Sequence, residues 1–212
     1  MTKTTRGEFA GSGGMVRWQG WEPDEPASAL VVIVHGLAEH GGRYRYVAER
    51  LADKGFAVYA PDHHGHGLSE GSRANIGTMD GVADDVGSML AEATRRHPDV
   101  PRFLLGHSLG GLITLHYVTR RPVELAGVVL SGPALDTSAV SRAQRILAAG
   151  LNRVVPNFGA LRLSSSDVSR DPAVVQDYDN DPLNYRGKIP VRTLAEAIAV
   201  YDKIVPRLPD LR

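Results

Sequence analysis

Residues 102–111, RFLLGHSLGG, constrain this chain more than any other stretch. They read as a short buried strand over 103–105, then Gly106-His107-Ser108-Leu109-Gly110, then a helix. A Gly-x-Ser-x-Gly turn between a strand and a helix is a nucleophile elbow. The serine sits on a strained turn that lifts its Oγ clear of the sheet. The flanking glycines let strand and helix backbones approach without a Cβ clash. The new helix aims its free N–H groups at the point where an oxyanion would form. In a chain with 23 glycines the bare motif is only moderately specific. The frame around it decides: an apolar run before, and a helical pattern with Leu112 and Leu115 after, closed by Pro122.

Elsewhere the composition excludes more than it assigns. At 212 residues the chain is expected to form one domain with a sizeable core. With 24 basic and 24 acidic residues the formal charge is zero, so neither a nucleic-acid partner nor a polybasic membrane anchor is expected. There is no cysteine, hence no disulfide and no thiolate metal site. The opening MTKTTRGEFAGSGG lacks the apolar stretch of a signal peptide. No run approaches the length of a membrane-spanning helix. A cytoplasmic protein is the expectation.

Taken in order, residues 8–10 and 15–18 flank Gly11-Ser12-Gly13-Gly14 and read as a β-hairpin. Residues 21–28, with Pro23 and Pro26, read as a loop. ALVVIV at 29–34 is continuously apolar, as a strand buried on both faces must be. It empties into His35-Gly36-Leu37-Ala38-Glu39-His40-Gly41-Gly42-Arg43-Tyr44. A glycine-rich loop there places backbone N–H groups at the sheet's carboxyl edge, where open α/β sheets bind ligands. The Leu37 N–H is the candidate second oxyanion donor, against an ordinary βα loop. His35 and His40 have no third ligand at a recognised spacing, so no metal site is expected.

A helix is expected over 46–54, buried through Val47 and Leu51 and closed by Gly55. A strand follows at 56–60 and runs into Asp62-His63-His64-Gly65-His66-Gly67-Leu68-Ser69-Glu70-Gly71. Hydrogen bonds among Asp62, His66 and Ser69 can hold that turn in shape beside the site. Asp80 is expected to cap a helix with Val82, Val86, Met89, Leu90 and Ala93 on one face, ended at His97-Pro98. AGVVL at 126–130 is the strand after the elbow helix. The alternation spells an α/β fold with a mostly parallel sheet flanked by helices.

From Asp136 the rhythm changes. Ser141 and Gln144 can form a capping box for a helix with Val140, Ala143, Leu147, Leu151 and Val154 on one face. Residues 157–190 show no clear strand. Thr193 and Glu196 read as a second capping box, for a helix buried through Leu194, Ile198 and Tyr201. The expected organisation is a core over 1–135, a helical cap insertion over 136–206, and a return toward the core over 207–212. Core packing is the favoured reading of the cap's apolar stripe, ahead of membrane insertion.

Together these residues resemble the monoacylglycerol lipase family of α/β-hydrolases. HGLAEHGGRY at 35–44 is similar to that family's oxyanion loop and DHHGHGLSEG at 62–71 to its D-x-x-G-H-G-x-S-x-G loop. GHSLGG at 106–111 is similar to its G-H-S-M-G-G elbow, with Leu109 in place of Met. SRDPAVVQDYDNDPL at 169–183 is similar to a cap segment. The resemblance spans roughly residues 30–210. It implies the α/β-hydrolase fold and a serine hydrolase of lipid esters, chiefly monoacylglycerols, working without a cofactor. Ser108 would be the nucleophile and the N–H groups of Leu37 and Leu109 the oxyanion donors. His35, Gly36, His107 and Gly110 would support the loops, and the cap would supply an apolar tunnel for the acyl chain. Transient contact with a membrane surface through the cap is a further expectation.

The fold's triad runs in the order Ser, Asp or Glu, then His. Here the last histidine is His116, eight residues after Ser108, and no complete triad is visible. His107 should point away from the serine, and His35, His63, His64 and His66 precede it. Asp136 could hold a triad acid but has no histidine to orient. Two readings follow: the amino-terminal part of a longer lipase, or a non-catalytic relative that binds lipid or a partner. A peptidase or general carboxylesterase stays open within the enzyme class. Dehalogenase chemistry does not fit, since a serine stands where an aspartate nucleophile would be needed.

Overall fold

A computed structural model describes residues 2–120, 122–135 and 141–211. Its frame is a six-stranded sheet in the order β1-β2-β4-β3-β5-β6. The strands are β1 (Lys3–Ala10), β2 (Met15–Glu22), β3 (Ala29–Val34), β4 (Phe56–Pro61), β5 (Arg102–His107) and β6 (Gly127–Ser131). β4, β3, β5 and β6 run parallel, while the β1–β2 hairpin joins antiparallel beside β4. The crossovers are α1 (Arg45–Ala52), α2 (Met79–Arg96) and α3 (Leu109–Arg120).

β3 forms the centre because every one of its side chains can be buried. Leu30, Val32 and Val34 pack with α2 and α3. Val31 and Ile33 pack with Ala48 and Ala52 of α1 on the opposite face. Burying each such aliphatic side chain contributes roughly 1.5–3 kcal/mol. α1 therefore buries its alanines, and Val47, expected in the core, stays 40% exposed. Phe103 and Leu105 on that same face are only partly covered.

The hairpin is longer than its sequence pattern indicated. β2 continues through Trp21, expected in a loop, because Trp21 pairs with Val58 of β4 and is buried. α2 is capped by Thr78, whose hydroxyl accepts from Gly81 N–H, and not by Asp80. Asp80 sits in the first turn, where it accepts from His116 Nε2 at 2.7 Å and pairs with Arg120. Its apolar face is the expected one: Val82, Val86, Met89, Leu90 and Ala93 are all buried.

Above the carboxyl ends of the strands lies a second layer: α4 (Arg142–Val154), β7 (Gly159–Arg162), α5 (Pro172–Asn180), β8 (Lys188–Pro190) and α6 (Val191–Ile204). The Ser141–Gln144 capping box is formed. No residue of α4 is buried, against the expectation of core packing, and Val154 is 80% exposed. Residues 157–190 do contain strands: β7 and β8 pair antiparallel. They escape notice because they are only four and three residues long. The second capping box is absent. α6 begins after Pro190 with no side-chain cap. Thr193 instead donates to Ala74 O at 2.6 Å, and Glu196 accepts from Met79 N–H at 2.8 Å, so one ties α6 to the loop before α2 and the other to the first residue of α2. α6 buries Val191, Thr193, Ala195, Val200 and Ile204, a face rotated from the expected one. Val205–Asp210 is a 3-10 helix whose Leu208 packs against the core. The expected boundary at 135/136, Asp136 and Val140 fall at or beyond the edge of the described residues.

Candidate active site

Ser108 joins β5 to α3 in the left-handed region, at φ +50°. A non-glycine residue holds that conformation only when its surroundings enforce it. Here its N–H donates to Ser131 O at 3.0 Å, and its carbonyl accepts from the N–H groups of Gly111 and Ala134, each at 3.0 Å. The glycines around it are there for space. A Cβ on Gly106 would lie 2.6 Å from Thr114 Oγ1 and 2.7 Å from Gly110 O. A Cβ on Gly110 would overlap the carbonyl groups of Val34 and His35. The elbow can therefore press α3 onto the end of β3 only with glycine at 110.

The loop after β3 wraps the other side. Glu39, buried, is its hub: its carboxylate accepts from Gly36 N–H and Tyr44 O–H, both at 2.6 Å, and from Arg43. Burial, and then the neighbouring Glu39 charge, push the Tyr44 hydroxyl's pKa upward. Ala38, the next strained residue, has φ +63°. Among the described residues the N–H groups of Leu37 and Leu109 have no hydrogen-bond partner. Leu109 follows Ser108 directly in the chain, and Leu37 lines the same cavity as Ser108.

Sequence reasoning singled out the turn after β4 for bonds among Asp62, His66 and Ser69. The bond between Ser69 and Asp62 is formed, while the Asp62 carboxylate and the His66 ring find other partners. The Asp62 carboxylate accepts from Gly41 N–H and Leu68 N–H, each at 2.8 Å, while Ser69 Oγ donates to the Asp62 carbonyl. Burial raises the Asp62 carboxyl's pKa, against the lowering effect of those two N–H groups. His66 Nδ1 donates to His64 O at 3.0 Å.

None of the eight histidines hydrogen-bonds Ser108. His35 donates from Nδ1 to Gly36 O and accepts at Nε2 from His63 N–H. His63 Nε2 donates back to His35 O at 3.0 Å. The His35 ring is thereby fixed as the neutral tautomer with its proton on Nδ1. Burial, reinforced by the neighbouring imidazoles, holds His35 well below its usual range and His63 down to about 3. Burial takes His66 to about 4. These three are structural groups. His107 turns its Nδ1 to Ser131 O at 2.9 Å. Among the described residues no cluster of His, Asp and Glu could hold a metal ion.

Ser108 opens into a cavity of about 580 Å³, bounded below by Gly36, Leu37 and His107 and above by the second layer. That upper wall carries Arg162, Asp167, Asp179 and Arg186 beside Leu163 and Val168. It is thus a mixed wall, in contrast to the apolar tunnel expected of a cap. The apolar groove lies elsewhere, between α4 and α6, with Leu147, Leu151, Leu161, Leu194 and Ile198 in its walls.

A parallel sheet that presents a strained serine on a strand–turn–helix elbow, beside two unpaired N–H groups, defines the α/β-hydrolase class with a nucleophile-elbow serine. Within that class the chain belongs to the family described as serine aminopeptidase, S33, which matches residues 25–212. It is 41% identical to a monoacylglycerol lipase of Mycolicibacterium smegmatis, over 90% of this chain and 69% of that protein. To the monoglyceride lipase of Mus musculus it is 37% identical, over 89% of this chain and 64% of the relative. Among solved structures it is similar to the Paleococcus ferrophilus monoacylglycerol lipase, with a TM-score of 0.76 at 31% identity, covering 97% of this chain and 72% of that one. The chain spans about two thirds of the length of the curated relatives it matches. No described helix is long and apolar enough to cross a membrane.

Proposed function

We propose that this chain carries the nucleophile and oxyanion donors of a serine hydrolase of lipid carboxylic esters, with monoacylglycerol as the foremost substrate. The observation that carries this is the Ser108 elbow at φ +50°, open to a roofed cavity and flanked by the free N–H groups of Leu37 and Leu109. The names of the relatives support the lipid ester over a peptide. In this reading Ser108 Oγ attacks the ester carbonyl. The carbonyl oxygen takes up negative charge against Leu37 N–H and Leu109 N–H, each worth roughly 3–4 kcal/mol of barrier. Collapse expels glycerol and leaves an acyl-serine, which water then hydrolyses to the fatty acid. His35, Gly36, His107 and Gly110 hold the two loops in register. Residues 136–206 act as the cap, and their mixed wall suits a polar glycerol head beside an ester.

The serine's proton needs an acceptor, and no histidine among the eight reaches Ser108. The test therefore supplies one. Intact-mass spectrometry follows the folded chain with a fluorophosphonate probe, with and without added imidazole. A single adduct, accelerated by imidazole and lost in Ser108→Ala, is the expected result. A folded chain that takes no adduct under either condition overturns the reading of Ser108 as a nucleophile here.

A further inference from the structure

The oxyanion loop is held from above as well as from below. The Ala38 carbonyl accepts from two donors of the second layer, Tyr178 O–H at 2.8 Å and Tyr185 N–H at 2.9 Å. Two residues further on, His40 Nε2 donates to Asp181 Oδ2 at 2.7 Å. Asp181 in turn accepts from Leu183 N–H through its other oxygen, and Asn184 donates to the Tyr178 carbonyl. The Arg43 guanidinium, held by Glu39, lies 4.9 Å from the centre of the Tyr178 ring. Residues 178–185 thus form one brace across the loop.

The brace grips the loop at its least favourable point. Ala38 is buried, with φ +63°, a conformation that an alanine adopts only against steric resistance. Leu37 N–H lies between two fixed points: Gly36 N–H, tied to Glu39 from within the loop, and Ala38 O, tied to the cap. Without the second tie, Ala38 would relax toward negative φ and rotate the adjoining peptide groups.

We infer that the cap is a working part of the oxyanion hole, with Tyr178 and Asp181 as positioning residues that hold Ala38 left-handed and so keep Leu37 N–H aimed at Ser108. This rests on the assignment of Leu37 as an oxyanion donor. Docking of the cap and assembly of the hole become one event, so a displaced cap leaves an exposed serine without its full oxyanion site.

Amide hydrogen exchange tests this without any need for turnover. Tyr178→Phe keeps the ring and removes the hydroxyl. Exchange across residues 36–43 should speed up about tenfold, the order expected for one lost buried hydrogen bond, while α2 and β4 are unchanged. Adding Ala38→Gly, which makes the left-handed conformation freely available, should bring the exchange back toward that of the unaltered chain. Should Tyr178→Phe not fold, Asp181→Ala, which cuts the His40 tie, carries the same expectation. Unchanged exchange in the loop, acceleration spread evenly over the core, or no rescue by glycine overturns the inference. The rate of fluorophosphonate labelling is read alongside. If exchange responds as expected but no variant takes up probe, the hydrolase reading fails and the coupling of cap and loop stands.

Discussion

The carboxyl edge of the sheet and the flank, meaning the outer strand β6 and the outward side of α4, are built to different standards. At the edge, the backbones after β3 and β5 approach so closely that a Cβ on Gly110 would overlap the carbonyls of Val34 and His35, and the buried His35, Glu39, Asp62 and His63 side chains answer to specific N–H or C=O groups. At the flank, Val128 and Val129 of β6 are 38% and 52% exposed, and α4 turns Ile146, Leu147 and Val154 outward. The contrast teaches that the elbow's geometry is local. It depends on β3, β5 and α3 and on the backbone bonds of Ser108 to Ser131 and Ala134, and not on how completely the side chains of β6 are covered.

Acid offers the strongest way to break the edge while sparing the flank. His35, His63 and His66 stay neutral in the folded chain far below the pH at which an unfolded histidine, near 6.5, takes up its proton. Above about pH 6.5 they contribute no pH dependence. Below it the unfolded chain binds more protons, so stability falls by about 1.4 kcal/mol per pH unit for each histidine, down toward the folded values. Denaturant melts at pH 7, 6 and 5 should show this decline, and a flat profile would contradict the assignment of all three rings as neutral and buried.

Next in size comes Gly110→Ala. Its Cβ would meet backbone carbonyls, which cannot step aside as a side chain can. A loss of about 3 kcal/mol or more is expected, the upper end of overpacking costs, read as a fall in Tm. A tolerated alanine would show that the edge has slack after all.

Ser108→Gly acts with the opposite sign. Glycine takes φ +50° without steric cost, so removing the serine should stabilise the fold by about 1 kcal/mol while abolishing probe labelling. A loss of stability would mean that the turn is not strained.

The smallest effect belongs to the flank. Gly150 lies in the interior of α4 with nothing within 4 Å of where a Cβ would stand. Gly150→Ala should raise stability by roughly 0.5–1 kcal/mol. Comparing the two glycine-to-alanine changes side by side is the sharpest single check: opposite signs are required.

Much of this was legible in the sequence wherever one strong pattern acted alone. ALVVIV could only be a doubly covered strand, and α2's five apolar positions fix its buried face. The elbow announced itself through spacing. Legibility failed where tertiary partners competed for a residue that has a local use. Thr193 and Glu196 look like a capping box, yet one reaches across to the loop before α2 and the other to the first residue of α2. Asp80 looks like a cap, yet its carboxylate is taken by His116 and Arg120. β7 and β8 are too short to show a period, and the outward apolar face of α4 has the same pattern as an inward one. At the site, Ser108 was readable, but the strain at Ala38 was not, because an alanine in the left-handed region leaves no mark in composition. Glu39 lay inside a recognised motif, and only its three bonds reveal it as the loop's hub.

The ties between the two loops limit how this scaffold could be re-engineered. Asp62, in the second loop, holds Gly41 of the first, and His35, in the first, holds His63 of the second. Neither segment is a free-standing cassette. Transplanting residues 35–44 alone into another hydrolase would strand a buried donor, Gly41 N–H, and a buried acceptor, His35 Nε2, within the graft, whereas moving 35–44 and 62–71 together carries both halves of each bond. The unit of exchange for altering this site is the interlocked pair.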